Sequence, residues 1–428
     1  MAKRTGSANL PLHNGRVPSW LSSRMAVLGR VIAEAIIQHY GRDEFLRRLA
    51  HPFWFQSLGA VMGMDWHSSG ITTSVLGALK RGLSPLEREL GLYICGGRGR
   101  HSLQTPAELT RVGERTGLDG AALAQTSRLV AKIDNAAVQD GYDLYLHAFV
   151  VGADGQWCVV QQGMNTQARE ARRYHWLSEG LESFLDSPHA AIEGRNQGAI
   201  VNLADVRAQH NRRAGLELVH GGAERPIAIL RRVRAGSAAM ALFPELDASE
   251  SLPEPLPDYT APHLHLPAHH EVLASDVLLR RLHATLAAAA DRGPKDFTEL
   301  LLIPGVGART VAALAFVAEV IYGAPARFAD PARFSFAHGG KDGHPFPVAL
   351  KVYDETLRVM KAAVSKARLG NSERLSALRR LDSQARALEF SVSGPKFSAL
   401  LTTERASSQG YGGRSVFGVI CRRGGCQQ

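Results

Sequence analysis

The chain has 428 residues, 45% of them hydrophobic, with 50 Lys+Arg against 40 Asp+Glu and a formal net charge of +10. That length predicts two or three domains able to bury real cores, and no run of about 18 apolar residues predicts a membrane span. The excess of positive charge favours a polyanionic partner, while four cysteines, Cys95, Cys158, Cys421 and Cys426, make no disulfide framework and point to a reducing cytoplasm.

The N-terminal MAKRTGSANLPLHNGR lacks the apolar segment of a secretory signal. Residues 17–81 read as helices. VPSWLSSRMAVLGRVIAEAIIQHYG has apolar residues at helical spacing and a stop at Gly41. FLRRLA and PFWFQSLGAVMG follow. A polar break, Asp65-Trp66-His67-Ser68-Ser69-Gly70, then feeds the helix ITTSVLGALKRG. Thr72 and Thr73 fall in its first turn, where a helix N-terminus can hold an anion, with Asp65 and His67 beside it. Capping by Ser68 or Ser69 explains the same residues. GLYICGGRGRHS (91–102) predicts a strand opening into a basic loop, where Gly96, Gly97 and Gly99 let the backbone approach a ligand. It lacks the Lys and Ser/Thr of a P-loop. Thr105-Pro106-Ala107-Glu108 is a capping signal, and Gly120 to about Gln139 forms another helix.

The clearest β signal is YDLYLHAFVVGADGQWCVVQQGM (142–164), with Asp154-Gly155 as a two-residue turn. That turn pairs Phe149 with Val160 and His147 with Gln162. Alternation then puts Asp143, Tyr145, His147, Gln162 and Met164 on one face. Leu144, Leu146, Val150, Trp157 and Val159 lie on the other, which reads as core. An Asp, a His and a Gln on one strand face suit hydrolysis of a phosphodiester. Asp143 would hold Mg²⁺ or Mn²⁺, with His147, Gln162, Asp65 and His67 completing the catalytic set. Arg172 and Arg173, in the basic stretch that follows, would steady the phosphate. GAIVNLAD predicts one further strand.

Residues 244–275 form a Pro-rich linker. Its His263, His265, His269 and His270 match a metal tract in composition alone. Next comes LLLIPGVGARTVAALA (300–315). Pro304 ends one apolar helix, Gly305 and Gly307 permit a tight turn around Val306, and a second helix leaves with Arg309 and Thr310 in its first turn. The free amides at that start suit a phosphate oxygen. This pattern resembles the helix-hairpin-helix motif, which grips a DNA backbone without reading bases; a Gly-terminated helical hairpin is the plain alternative. The loop Phe336–Val348 adds Lys341, His338 and His344 and is expected to close over the nucleic acid. Residues 351–405 hold 11 Lys+Arg against 6 Asp+Glu, a basic face beside the hairpin. The last residues are rich in Gly, Ser and Arg and read as a flexible tail.

Several stretches together, TGSANLPLHNG, SWLSSRM, PFWFQSLG, DWHSSGITT, VVQQGMN, ARRYHW, PHAAI and the segment from LLLIPGVG to GKDGHPFPV, resemble an uncharacterised bacterial and archaeal family, domain of unknown function seven-six-three. The resemblance spans roughly residues 5–390 and implies a DNA-binding hairpin without supplying an activity. IPGVGARTVAALAFVAEVIYGAPARFAD is also similar to the helix-hairpin-helix DNA glycosylases, whose catalytic Asp would fall on Asp330. The position of the catalytic lysine in the bifunctional members is Arg309, a poor amine nucleophile, and the four-cysteine iron–sulfur loop of many members is missing.

The expected fold is α+β. A mixed N-terminal domain (1–243) holds a small antiparallel sheet and several helices. The linker (244–275) leads to an all-α domain (276–390), with the hairpin at 297–322, and the tail (391–428) follows. The expected function is DNA binding with metal-dependent cleavage directed by DNA structure rather than sequence. The alternatives are base excision through Asp330 and a non-catalytic binder of branched or single-stranded DNA. DNA and a second copy of the chain are the expected partners, and no membrane is expected.

Overall fold

The computed structural model describes residues 10–11, 19–63, 69–239, 276–332, 350–366, 370–391, 414–415 and 418–419. Asp65, His67, Lys341 and the linker histidines lie outside the described residues. In chain order the elements are β1 (Leu10–Pro11), α1 (Ser19–Tyr40), α2 (Arg42–Ala50), α3 (Pro52–Val61), α4 (Gly70–Leu83), α5 (Glu87–Leu90), β2 (Leu92–Arg98), α6 (Arg100–Thr116) and α7 (Gly120–Lys132). Then follow β3 (Val138–Gln139), β4 (Asp143–Gly152), β5 (Trp157–Asn165), β6 (Glu170–Leu177), β7 (Ala191–Glu193), β8 (Ala199–Asn202), α8 (Gln209–His220) and α9 (Glu224–Ala239). Last come α10 (Asp276–Arg292), α11 (Phe297–Leu302), α12 (Ala308–Tyr322), β9 (Arg327–Ala329), α13 (Leu350–Lys366) and α14 (Asn371–Ser391). The mixed α+β class with a small antiparallel sheet is the one the sequence predicts.

The main sheet runs β1-β6-β5-β4-β2, all antiparallel, with β7 also paired to β6. β3, β8 and β9 form a second, smaller sheet. Helices cover both faces of the main sheet. On one face Phe149, Val151, Trp157, Val159, Tyr174 and Trp176 share a core with apolar residues of α6 to α12. On the other, Ile94, Leu146, Ala148, Val150, Cys158 and Val160 pack with α1 to α4 and with Met360, Val364, Ala377 and Leu381 of α13 and α14. Burial on both sides explains why β4 and β5 read as continuous apolar runs. It also corrects the expectation of one core face, because Leu146 and Val150 pack on the opposite side from Trp157 and Val159. Each core draws on residues from both sides of the linker.

The β4–β5 turn holds three residues, not two. Gly152 N–H donates to Gln156 O at 2.8 Å and Gly155 N–H to Gly152 O at 2.9 Å, with Gly155 in the left-handed region at φ 87°. This is the three-residue hairpin in which glycine takes the left-handed position. The register therefore pairs Phe149 with Val159 and His147 with Gln161. A β-bulge between Leu144 and Leu146 then shifts the register by one further residue, so that Asp143 pairs with Met164. A one-residue change in register moves a side chain to the other face, and that separates His147 from Gln162.

Candidate functional site

The turn between α11 and α12 is built from its flanks inward. Asp296 caps α11 by accepting the Glu299 N–H at 2.8 Å. Gly305 takes φ 92°, a region that favours glycine. Val306 is fully buried and its N–H donates to Ile303 O at 3.1 Å. Gly307 is extended, and nothing lies within 4 Å of where its Cβ would stand. The body of the protein holds this turn by its carbonyls. Lys132 Nζ donates to Val306 O, and Gln139 Nε2 donates to Ala308 O at 2.8 Å. Pro304, Gly305 and Arg309 are exposed. Thr310 is buried at 5% exposure, which corrects the expectation that its hydroxyl reaches a phosphate.

Arg172 and Arg173 are also buried, each at 0% exposure. They cannot steady a phosphate at the surface, as the sequence suggested. Successive residues of a strand point to opposite faces, so the two arginines serve different layers. Arg172 Nη1 donates to Asp140 Oδ2 at 2.7 Å and to Asp330 Oδ1 at 3.2 Å, and its Nη2 donates to Asp330 Oδ2 at 2.6 Å. Its guanidinium stacks on Tyr142 at 4.6 Å. Burial pushes the Asp140 carboxyl upward against the pull of Arg172. Asp330 also accepts the N–H groups of Gln197 at 2.7 Å and Ala332 at 2.8 Å. Its oxygens are thus committed to a structural clamp, and removing one partner of such a buried pair costs about 3–5 kcal/mol. Arg173 Nη2 donates to Gln56 Oε1 at 2.7 Å, pairs with Glu193 Oε2 at 2.7 Å, and its guanidinium stacks on Phe55 at 4.7 Å. Burial pushes Arg173 down and Glu193 up, and the contact between them opposes both shifts.

The polar residues of the β4–β5 hairpin fall into two networks on opposite faces. Beneath α4, Gln162 Nε2 donates to Ser69 O at 2.9 Å and to Tyr145 Oη, and Gln162 Oε1 accepts the Thr72 hydroxyl. These contacts commit Thr72 to the interior and tie the start of α4 to the sheet. On the other face, Asp134 lies in a π-helical turn, Ile133–Ala137, that extends α7. Its carboxylate accepts from Gln161 Nε2, from His189 Nε2 and from Trp176 Nε1 at 2.9 Å. Gln161 Oε1 lies 2.6 Å from His147 Nδ1, and His147 Nε2 lies 2.8 Å from Ser127 Oγ. Burial lowers His147 below its ordinary value, against the opposing effects of Gln161 and Asp134. Ser127, His147 and Gln161 line a cavity of about 420 Å³ between α6, α7, the sheet and Leu302.

The described members of the expected catalytic set are therefore not gathered. Asp143 is exposed at the start of β4, while His147 and Gln162 lie on opposite faces. Among the described residues no group of three or more His, Cys, Asp or Glu could hold a metal ion. In the glycine-rich end of β2 the backbone is closed at Gly96, whereas nothing lies within 4 Å of where a Cβ at Gly99 would stand. A Cβ at Gly96 would stand 2.2 Å from His147 O and 2.3 Å from Thr105 Oγ1, and the Gly96 N–H donates to Glu108 at 2.8 Å. Burial pushes the nearby Cys95 thiol up to about 12, away from thiolate chemistry. Sequence reasoning passed over Ser127, Asp134, Asp140 and Gln161. Ser127 carries no motif of its own, and Gln161 would have been found by placing Gly155 at the left-handed position of a three-residue turn.

A family model described as "Protein of unknown function (DUF763)" matches residues 6–348, and the chain belongs to that family. No curated protein and no solved structure shows a significant match.

Proposed function

We propose that this member of the family is a DNA-binding protein that grips the sugar–phosphate backbone through the α11–α12 turn, without reading sequence. The observation that carries this reading is the build of the turn. Its interior carbonyls are occupied by Lys132 and Gln139, while Gly305 and Arg309 face solvent. The first-turn amides of α12, at Ala308, Arg309 and Thr310, precede the first helical bond, from Val311 N to Gly307 O. Such amides and the helix dipole suit a phosphate. The open backbone at Gly307 lets a strand come close, and the chain's net charge of +10 adds long-range attraction.

The placement of Asp143, His147, Gln162 and Asp330 favours DNA binding without chemistry on the DNA over metal-dependent cleavage or base excision. The ligands are single-stranded or branched DNA. Fluorescence anisotropy with single-stranded, duplex and branched oligonucleotides tests the proposal. Affinity should fall steeply with salt, because the counterions released on binding gain less entropy as bulk salt rises, and Arg309→Ala should reduce the salt slope by about one. Gly307→Val should weaken binding with little change in stability, because its extended backbone accepts any side chain. Binding unchanged by both substitutions would sink the assignment. Turnover in Mn²⁺ that EDTA abolishes and Asp143→Asn removes would instead restore the nuclease.

A further inference from the structure

The geometry points to a second, separate site: Ser127 is a nucleophile, activated by His147, that cleaves small carboxylic esters in the cavity beneath α6 and α7. The argument starts from Asp134. Its carboxylate is occupied by N–H donors, so the Gln161 amide must present its nitrogen to Asp134 and its oxygen to His147. Gln161 Oε1 can only accept, which places the imidazole proton on Nδ1. His147 Nε2 then carries the lone pair, and it stands 2.8 Å from Ser127 Oγ. A chain of fixed polarity thus ends on a hydroxyl whose proton points at a base. This is the arrangement that nucleophilic catalysis needs, with the base oriented by a third group.

Both reacting groups are buried, Ser127 at 2% and His147 at 4% exposure, and both line the cavity of about 420 Å³. Its walls include Leu103, Pro106, Ala131, Leu144 and Leu302, with Arg128 and Lys132 also lining it from α7. Leu103 is 82% exposed and sets an apolar lip. Such a space fits the apolar acyl group of a small ester. Although Lys132 and Leu302 of its lining adjoin the α11–α12 turn, among the described residues Ser127, His147 and Gln161 make no hydrogen bond to that turn, so this inference does not rest on the DNA reading. In the reaction, Ser127 Oγ bonds to the ester carbonyl carbon as its proton passes to His147 Nε2. The imidazolium gives that proton to the leaving alkoxide as the ester C–O bond breaks. Water, deprotonated by the same nitrogen, then cleaves the acyl–Ser127 bond and restores both side chains. Gln161 is a positioning residue, since it acts through His147.

The test uses the full chain and a fluorophosphonate probe, with the adduct mapped by mass spectrometry. The expected result is a single adduct on Ser127, formed at least about 100-fold more slowly in His147→Gln, the contribution typical of a general base. With p-nitrophenyl butyrate as substrate, Gln161→Leu should lower kcat and leave KM unchanged. Mapping on the unaltered chain decides the matter even where Ser127→Ala fails to fold. No adduct on Ser127, or one that forms equally fast in folded His147→Gln, overturns the proposal.

Discussion

Two histidines illustrate how burial sets chemistry at single residues. His147 and His175 are both buried, and burial is the first cause that pushes each below the ordinary 6.5. For His175 the neighbouring Arg173 adds to the effect, and the bond from its ring to Leu49 O opposes it. In the unfolded chain both would take up a proton near pH 6.5. The folded state binds fewer protons than the unfolded state below that point, so stability is present above pH 6.5 and is lost as pH falls toward the folded values. Each group contributes up to about 1.4 kcal/mol per pH unit in that window. Urea midpoints measured from pH 7.5 to 5 should therefore decline, and the decline should be shallower in His175→Gln. A flat profile across that range would mean that these rings take up protons in the folded protein as readily as in the unfolded chain.

Glycines matter at the level of elements where a second segment leans on them. Gly96 in β2 has φ 87° and faces His147 O and Thr105 Oγ1 at distances no Cβ can occupy. Gly96→Ala must therefore push β2 away from β4 or from α6. The expected cost is about 2–3 kcal/mol, from backbone strain together with overpacking, read as a drop of several degrees in Tm. Gly307→Ala, with open space around it, should leave Tm unchanged. The same elements show what the sequence made legible. Helical spacing located α1, α4 and α12, and the Asp154-Gly155 pair located the hairpin. Helix α6 starts at Arg100 and carries Pro106 inside it, so the capping signal at Thr105 was local chemistry without a helix end. Asp140, Arg172 and Asp330 were illegible as a unit because 158 residues separate Arg172 from Asp330, and no periodicity reports a contact at that range. His147 was singled out, but the assumed turn length gave it the wrong partner.

At the scale of the molecule, β5 is the middle strand of β1-β6-β5-β4-β2, with helices packed on both faces. Gln161 pairs with His147 on one side and Tyr174 on the other, and is 0% exposed. A backbone proton in this position meets solvent only when both helical layers have come away and the strand has lost its two neighbours. Local fraying cannot reach it, since the openings available to loops and edges stop short of the central strand. In deuterated buffer the Gln161 amide should therefore exchange among the slowest in the chain, with an opening free energy equal to that from denaturant unfolding. The single amide becomes a gauge for the entire fold, and faster exchange at Gln161 than at β2 or β7 would show that the two layers come apart independently.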